Sequence, residues 1–503
     1  MTFLDWLQAD FGGVQIGALF AYFCLLSLLL LLGKLLRVKI KLFQKILLPA
    51  SVIGGFIGLI LGPFVLGELL TSAWPASIAM GNFVAVLGKI RVGFYSLPAR
   101  LIDIVFATMF LGMMIPNARQ IWKSSGPQIS YAMVVGGPMQ YVIASILTMG
   151  LLIPLFGVDP TFATLLEIGF CGGHGTAGGL QPLFSEGIPE VGWSFPAGAD
   201  LAFTAATVGI LTAMTVGIIM VNMGVRKGYC RYLEKPEELS DEIRVGIIPP
   251  QKSYSMGKVT VARESIEPLA FHLAIVFVAI LIGYGIHYLI STMGYLLADF
   301  TGNALWRVAD KLPTFPLAML GGAIIQLTLM KTKKTALVDR STMERIQGLA
   351  LEFLLVSAIA SISIPVLIHY LIPFLLLMAV GITYITCMTW FVAPRLLPDA
   401  WFERGMVEYG MQTGVTAMGI MLLRIIDPKF KTPALESFAF KQLIYEPFFG
   451  GGFVTALTPI LVVVWGLPLF AGVMFSVTAF FIGVSFFSKW FHPHPKPHRQ
   501  FKG

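Results

Sequence analysis

The sequence predicts an all-α polytopic membrane protein built of two inverted five-helix repeats, each with a re-entrant or broken helix, plus an extra C-terminal span. Three observations lead to this fold class. The 503 residues are 56% hydrophobic and 12% charged, about half the charged fraction of a soluble globular domain. The apolar residues form long runs of the length that a helix needs to cross a bilayer. Two Gly-rich stretches, one in each half, interrupt this pattern.

The apolar runs predict eleven membrane spans, because each is long enough to cross a bilayer as a helix. They lie at 14–36, 47–69, 101–118, 128–153, 197–224, 268–290, 315–330, 349–371, 373–393, 438–465 and 468–488. The first run is followed, not preceded, by a basic cluster, so we expect a retained helix rather than a signal peptide. We expect 71–100 to be a long outer segment.

Basic residues lie in short clusters between the apolar runs, a pattern that indicates loops facing the cytoplasm. With the N-terminus outside and the C-terminus cytoplasmic, all but five of the 35 Lys and Arg residues fall on the inner side. The net charge of +8 is then typical of loops that contact anionic lipid. The lipid bilayer is therefore an expected partner, and nucleic acid is not.

A single long polar stretch divides the chain. Residues 226–267 contain eight basic and seven acidic residues, and about forty residues cannot bury much of a core on their own. The prediction is a first membrane repeat at 1–225, a cytoplasmic linker at 226–267 and a second, inverted repeat at 268–466. An additional span and a His- and Pro-rich cytoplasmic tail follow at 467–503.

The two halves share short patterns. Pro49 precedes Gly54-Gly55 as Pro316 precedes Gly321-Gly322. At a constant offset of 241 residues, two ungapped sets also align: Glu167, Gly169, Gly173 and Gly178 with Glu408, Gly410, Gly414 and Gly419. Five spans separate the starts of the two repeats, and an odd number forces the second copy to enter the membrane from the opposite side. The interrupted stretches, 161–183 and 405–424, are predicted to meet near the midplane.

Both interrupted stretches carry candidate binding residues. The first contributes Glu167, Gly172, Gly173, His174, Gly175 and Thr176, and the second contributes Glu408, Gln412, Thr413, Gly414 and Thr416. Glycines expose backbone N–H groups to an anion, while carbonyls and Thr hydroxyls suit Na⁺. His174 is expected to hydrogen-bond in the pocket or to be structural. No His, Cys or acid lies at metal-ligand spacing from it, so the only metal expected is Na⁺, with unassigned ligands.

Other charged residues lie beside the interrupted stretches. Asp200 and Glu446 begin the helices that follow them, so both are candidates for ion binding or gating, because ionisable groups at membrane depth are expensive to bury. Arg424 ends the second apolar run. It is either a clamp for a substrate carboxylate or a marker of the cytoplasmic boundary.

Gly172-Gly173-His174-Gly175-Thr176, after Glu167-Ile168-Gly169-Phe170, resembles the signature of the bacterial sodium/glutamate symporter family. Pro49 with Gly54-Gly55, and Asp200 followed by Thr204 and Thr207, are similar too. The resemblance covers most of both halves. It implies Na⁺-driven glutamate uptake across the bacterial inner membrane, by a homodimer whose transport domain shifts like an elevator.

We therefore expect a Na⁺-coupled symporter for L-glutamate or a similar anionic amino acid, with Na⁺ as coupling ion and no organic cofactor. A Na⁺- or H⁺-coupled carrier of another small carboxylate is the alternative within transport. An ion channel or a membrane-embedded enzyme would be a different class. The sequence contains no HExxH or GxSxG pattern, so an enzyme is not expected.

Overall fold

The computed structural model describes residues 16–114, 118–230, 244–248, 257–397 and 399–492. Within these ranges the regular secondary structure is helical, apart from one β-bridge between Ile188 and Trp193. The N-terminal residues 1–15, half of the predicted linker (231–243 and 249–256) and the tail after His492 lie outside the described residues. The predictions for those segments are therefore untested.

The first half contains thirteen described α-helices. They are α1 (Ile16–Lys39), α2 (Lys41–Lys45), α3 (Ala50–Ile60), α4 (Glu68–Ala73), α5 (Ile78–Ser96), α6 (Pro98–Ala107), α7 (Ala118–Val135), α8 (Gly137–Leu147), α9 (Ile153–Phe156), α10 (Leu165–Phe170), α11 (Gly173–Gly179), α12 (Gln181–Glu186) and α13 (Ala197–Arg226). Two π-helical turns, at Pro63–Gly67 and Thr148–Leu152, and two 3₁₀ turns, at Pro160–Thr164 and Pro189–Val191, complete this half.

The second half contains nine described α-helices. They are α14 (Pro268–Thr301), α15 (Phe315–Lys331), α16 (Arg340–Ala360), α17 (Ile364–His369), α18 (Leu371–Leu396), α19 (Trp401–Ile426), α20 (Ala434–Tyr445), α21 (Phe453–Trp465) and α22 (Leu467–Phe487). Two 3₁₀ turns lie at Ala304–Lys311 and Thr335–Leu337.

Long apolar helices make the chain a multi-pass helical membrane protein. Among the described residues, eight helical segments are long and apolar enough to cross a membrane, or nine if Ala304–Lys311 and Phe315–Lys331, bent by 68°, form one span. The sequence predicted eleven. Three predicted spans differ: 101–118 is helical only as far as Ala107, 349–371 is α16 and α17 with a break between them, and 438–465 is α20 and α21. The expected outer segment 71–100 contains α5, which with α6 forms one long apolar segment.

Glycines set the close approach of the first two long helices in each half. A Cβ at Gly54 in α3 would lie 2.6 Å from the carbonyl oxygen of Leu29 in α1. In the same way, a Cβ at Gly321 in α15 would overlap the carbonyl oxygen of Ala279 in α14. Each glycine stands five residues after the proline of its repeat pattern. The two halves therefore pack their first helix pair through the same glycine.

The second glycine of each pair faces the opposite half. Gly55 packs against Ile359 of α16, and Gly322 packs against Ala107 of α6. Small residues allow such backbone approach in membranes, where apolar surface alone gives little driving force for association. The shared glycine pattern thus has one member for contact within a half and one for contact between halves.

The apolar core is divided. The largest cluster of buried apolar residues comes chiefly from α7, α8, α10–α13 and α18–α22. Two smaller clusters come chiefly from α1, α5 and α6 of the first half with α14–α16 of the second. We call the first set of helices the inner body and the second set the outer body. Both interrupted stretches belong to the inner body.

The Gly321→Ala variant is expected to be less stable than the wild type, because the added methyl group would force α14 and α15 apart. Overpacking of this kind costs about 1–3 kcal/mol. Gly285→Ala in α14 is the matched control, since nothing lies within 4 Å of its Cβ position and the gain in helix propensity is the same. Thermal unfolding in detergent measures the difference. Equal melting temperatures for the two variants would contradict this packing.

Candidate functional site

Both predicted interruptions are present as breaks in the helical backbone. In the first stretch, α10 ends at Phe170 and α11 begins at Gly173, whose φ is +68°. In the second, α19 loses helical geometry at Gly414 and at Val415, whose φ is 66° and ψ 170°. Gly173 and Gly414 are related by the offset of 241 residues. A β-branched residue at positive φ is rare and strained, so Val415 marks a place where the surrounding structure imposes the conformation.

The second stretch is a re-entrant hairpin. A Cβ at Gly410, before the break, would lie 2.6 Å from Cα of Gly419, after it. Gly419 in turn packs against the carbonyl oxygen of Val407. A continuous helix would separate residues nine apart by about 13 Å. The two arms, 401–413 and 416–426, therefore fold back on each other, and Gly410 and Gly419 make this contact possible.

The two breaks meet. A Cβ at Gly173 would overlap Cγ1 of Val415, so only glycine permits this approach. Just before the breaks, the Sγ of Cys171 lies 2.8 Å from Oε1 of Gln412. Cys171 and Gln412 are also 241 residues apart. Residues at matching positions of the two stretches thus touch each other, as expected where a local two-fold axis passes between them.

Helix α13 forms a common wall behind both breaks. Thr207 places its Oγ1 2.9 Å from Nε2 of His174, the residue after the first break. Two residues further on, Gly209 packs against the carbonyl oxygen of Thr413. A Cβ at Gly414 would lie 3.1 Å from Cα of Ile210. Both tips therefore rest on one turn of the same helix.

Glu167 is fully buried and is held by neutral donors. Its carboxylate accepts hydrogen bonds from the Tyr141 hydroxyl, from the Gly450 N–H at 2.9 Å and from the Thr455 hydroxyl at 3.0 Å. A buried carboxylate is tolerated only when such donors replace water. Glu167 thereby joins the first interrupted stretch to the turn between α20 and α21.

Glu408, the counterpart of Glu167, is held differently. Its Oε1 lies 3.1 Å from Nζ of Lys441, and both side chains are fully buried. Gln128 donates to the same oxygen at 2.9 Å, and Gln412 lies 3.5 Å from the other oxygen. The second half therefore neutralises its buried acid with a cation of the protein, whereas the first half uses only neutral donors.

Two other predicted acids lie at the edges of this region: Asp200 in the first turn of α13, as predicted, and Glu446 at the C-terminal end of α20 instead of the start of a helix. Asp200 is 7% exposed; its carboxylate lies 3.3 Å from the Arg91 guanidinium and accepts from the Ser363 N–H at 2.7 Å. Glu446 is half-buried and shares Gln442 with Thr416: the Gln442 amide lies 2.6 Å from Thr416 Oγ1 and 3.1 Å from the Glu446 carboxylate. Thr416 and Glu446 therefore form one polar cluster beside the second break.

The remaining predicted residues have other roles. The Thr176 hydroxyl donates to the Gly172 carbonyl at 3.0 Å, within the first tip. Gly175 packs against Ile102 of α6 in the outer body. Arg424 is exposed at the end of α19, with its guanidinium 5.6 Å from the ring centre of Phe430. Arg424 is thus not brought to the other site residues.

A third break, which was not predicted from the sequence, lies between α20 and α21. Gly450 and Gly451 have φ of +73° and +103° and, with Gly452, separate α20 from α21. A Cβ at Gly451 would overlap the Thr176 hydroxyl, so this turn touches the first tip. The triple glycine was a signal for it. Lys441 was missed too, although a lysine inside a predicted span is itself a marker of a functional or paired group.

No family model matches this chain, and neither do any of the curated proteins or solved structures with which it was compared. Within the described ranges, no group of three or more His, Cys, Asp or Glu side chains is arranged to hold a metal ion. The three breaks and the buried charges around them are therefore the features of the molecule that indicate its function.

The Lys441→Met variant is expected to be strongly destabilised, because it leaves the Glu408 carboxylate buried without a cation. Removing one partner of a buried ion pair typically costs about 3–5 kcal/mol. The double variant Glu408→Gln/Lys441→Met removes both charges and should recover most of that loss. Melting temperatures in detergent provide the comparison. A double variant no more stable than Lys441→Met would show that the two charges do not depend on each other.

Proposed function

We propose that this protein is an ion-coupled secondary transporter that takes up a small anionic solute, L-glutamate or a similar anionic amino acid, with Na⁺ across the bacterial inner membrane. The observation that carries the proposal is the meeting of two interrupted helices at Gly173 and Val415. Irregular backbone at membrane depth is tolerated only inside protein or beside a water-filled cavity. Secondary transporters place substrate and coupling ion at such breaks.

An inverted repeat is part of the proposal, and three observations support it. The breaks at Gly173 and at Gly414 with Val415 fall at the same offset. Cys171 touches its counterpart Gln412. The Pro–Gly–Gly helices, α3 and α15, each contact the preceding helix of their own half and a helix of the other half. Two halves that contact each other reciprocally in this way fit a two-fold relation.

The breaks supply the chemistry that an anion and a cation need. A helix that stops inside the membrane leaves N–H groups on one side of the break and carbonyl groups on the other without intrahelical partners. The N–H groups favour a carboxylate, and the carbonyls favour Na⁺. Thr416 follows the second break and is half-buried, so its hydroxyl is a further candidate ion ligand.

The division of the core supports an elevator-like movement. The contact between the bodies includes three glycines of α11: Gly175 packs against Ile102, Gly178 against Pro98 and Gly179 against Phe315. A glycine surface offers no side chains that would interlock with the outer body. The inner body would carry the site across the membrane, with the outer body as the scaffold of a homodimer.

Purified protein in proteoliposomes is expected to accumulate radiolabelled L-glutamate when an inward Na⁺ gradient is imposed, and not when K⁺ replaces Na⁺ on both sides. Uptake should saturate, because each cycle carries one loaded site. A proton gradient without Na⁺ serves as the second arm and tests H⁺ coupling. If neither gradient drives uptake and unlabelled glutamate does not compete, the proposed transport of glutamate is wrong.

The Gly173→Ala and Gly414→Ala variants are each expected to abolish uptake, because a methyl group at 173 would overlap Val415 of the other tip and one at 414 would push the second tip away from α13. Gly157→Ala is the matched control for Gly173→Ala: its φ of +62° carries the same backbone penalty, but nothing lies within 4 Å of its Cβ position. Uptake in proteoliposomes is measured together with the melting temperature, so that loss of folding is recognised. Wild-type uptake by either tip variant would contradict the role of the meeting breaks.

A further inference from the structure

His174 stands immediately after the first break and is 2% exposed. Its Nε2 lies 2.9 Å from Oγ1 of Thr207 on the common wall, α13. A distance alone does not tell which of the two atoms donates. The answer decides the protonation of the other ring nitrogen, because a neutral imidazole carries its proton on one nitrogen and a lone pair on the other.

The partners of Thr207 settle the direction. The Thr207 hydroxyl donates to the carbonyl oxygen of Phe203 at 2.9 Å, one turn earlier in α13. A hydroxyl has one proton to donate, and this bond uses it. Thr207 Oγ1 therefore accepts from His174, so the proton is on Nε2. The chain from His174 through Thr207 to Phe203 fixes the tautomer, as second partners of histidine generally do.

The Nδ1 atom of His174 is consequently a hydrogen-bond acceptor. It is buried, and no described residue donates to it. A buried polar atom without a partner is costly, and native proteins rarely keep one without a reason. His174 follows Gly173 at the tip of the first stretch, and Gly173 contacts Val415 of the second break. An acceptor without a donor at this place fits a donor that arrives with the solute.

We propose that Nδ1 of His174 accepts a hydrogen bond from the ammonium group of the transported solute and so determines its class. This inference rests on the proposed transport function and deepens it. Backbone N–H groups at the breaks bind a carboxylate without regard to the rest of the solute, whereas a fixed acceptor favours a solute with an N–H donor. The site would select an α-amino carboxylate over a dicarboxylate of the same length without the amine.

Equilibrium binding to purified protein in detergent tests the proposal independently of transport. L-Glutamate is compared with glutarate, which has the same two carboxylates and no amine. A hydrogen bond to a charged group corresponds to roughly 10- to 100-fold in affinity, and the wild type should prefer glutamate by about that factor. Equal affinity for the two would overturn the inference.

Two pairs of variants separate specificity from structure. His174→Gln places an amide nitrogen near Thr207 and loses the acceptor at the Nδ1 position, so its preference for glutamate should fall to near unity. His174→Asn keeps an oxygen near Nδ1 and should retain most of it. Thr207→Val removes the bond that fixes the tautomer and should weaken the preference, whereas Thr207→Ser should preserve it. Equal losses for both ligands in every variant would mean that His174 is only structural.

The outcomes distinguish this inference from the proposed function. Selective glutamate binding without gradient-driven uptake would refute transport and leave the role of His174 intact. Gradient-driven uptake with no discrimination between glutamate and glutarate would refute the role of His174 alone. Absence of both binding and uptake would refute both. Melting temperatures of all four variants accompany the measurements, and a variant that does not fold is replaced in the comparison by its conservative partner.

Discussion

The structure depends on one constraint: a helix that breaks inside a bilayer must have its freed backbone groups enclosed by protein or occupied by ligand. Here the breaks at Gly173 and at Gly414–Val415 enclose each other. Their contact requires glycine at position 173 and a neighbouring helix, α13, whose small residues allow both tips to approach. The positive φ of Val415 is then a consequence, because the hairpin must reverse where it meets the first tip.

A buried charge, like a freed backbone group, must have a partner inside the protein, but the kind of partner differs between the halves. Glu167 and Glu408 occupy matching positions, yet neutral donors surround the first and Lys441 pairs with the second. Lys441 itself matches Asp200, which pairs with Arg91 instead. Both stretches therefore break at matching positions, while the charges around the two breaks differ. Unequal charges of this kind would suit the proposed site, which takes one anion and one cation.

Composition and the length of the apolar runs were sufficient to predict a helical membrane protein, because burial of backbone in lipid leaves few alternatives. The two interruptions were predictable from glycines at a shared offset. The break at Gly450–Gly452 was missed despite the signal of its three glycines, because the apolar run that contains them still has the length of a span. Helix α5 was missed since Lys89 and Arg91 lower its hydropathy. The partners of Asp200 and Glu408 depend on contacts between distant helices, which a single sequence does not show.

Glycine has three different structural roles in this chain, and the difference between them matters for the proposed transport mechanism. At Gly173 it permits positive φ and contact between breaks, and at Gly410 and Gly419 it lets a hairpin close. In α11, glycines face the outer body instead. The first two uses fix the site rigidly within the inner body. The third places backbone rather than side chains of α11 against the outer body, so at this surface a shift of one body against the other would not require the site to be rebuilt. The proposed alternating access would need both features: tips that stay together, and a surface of α11 that can move past the outer body.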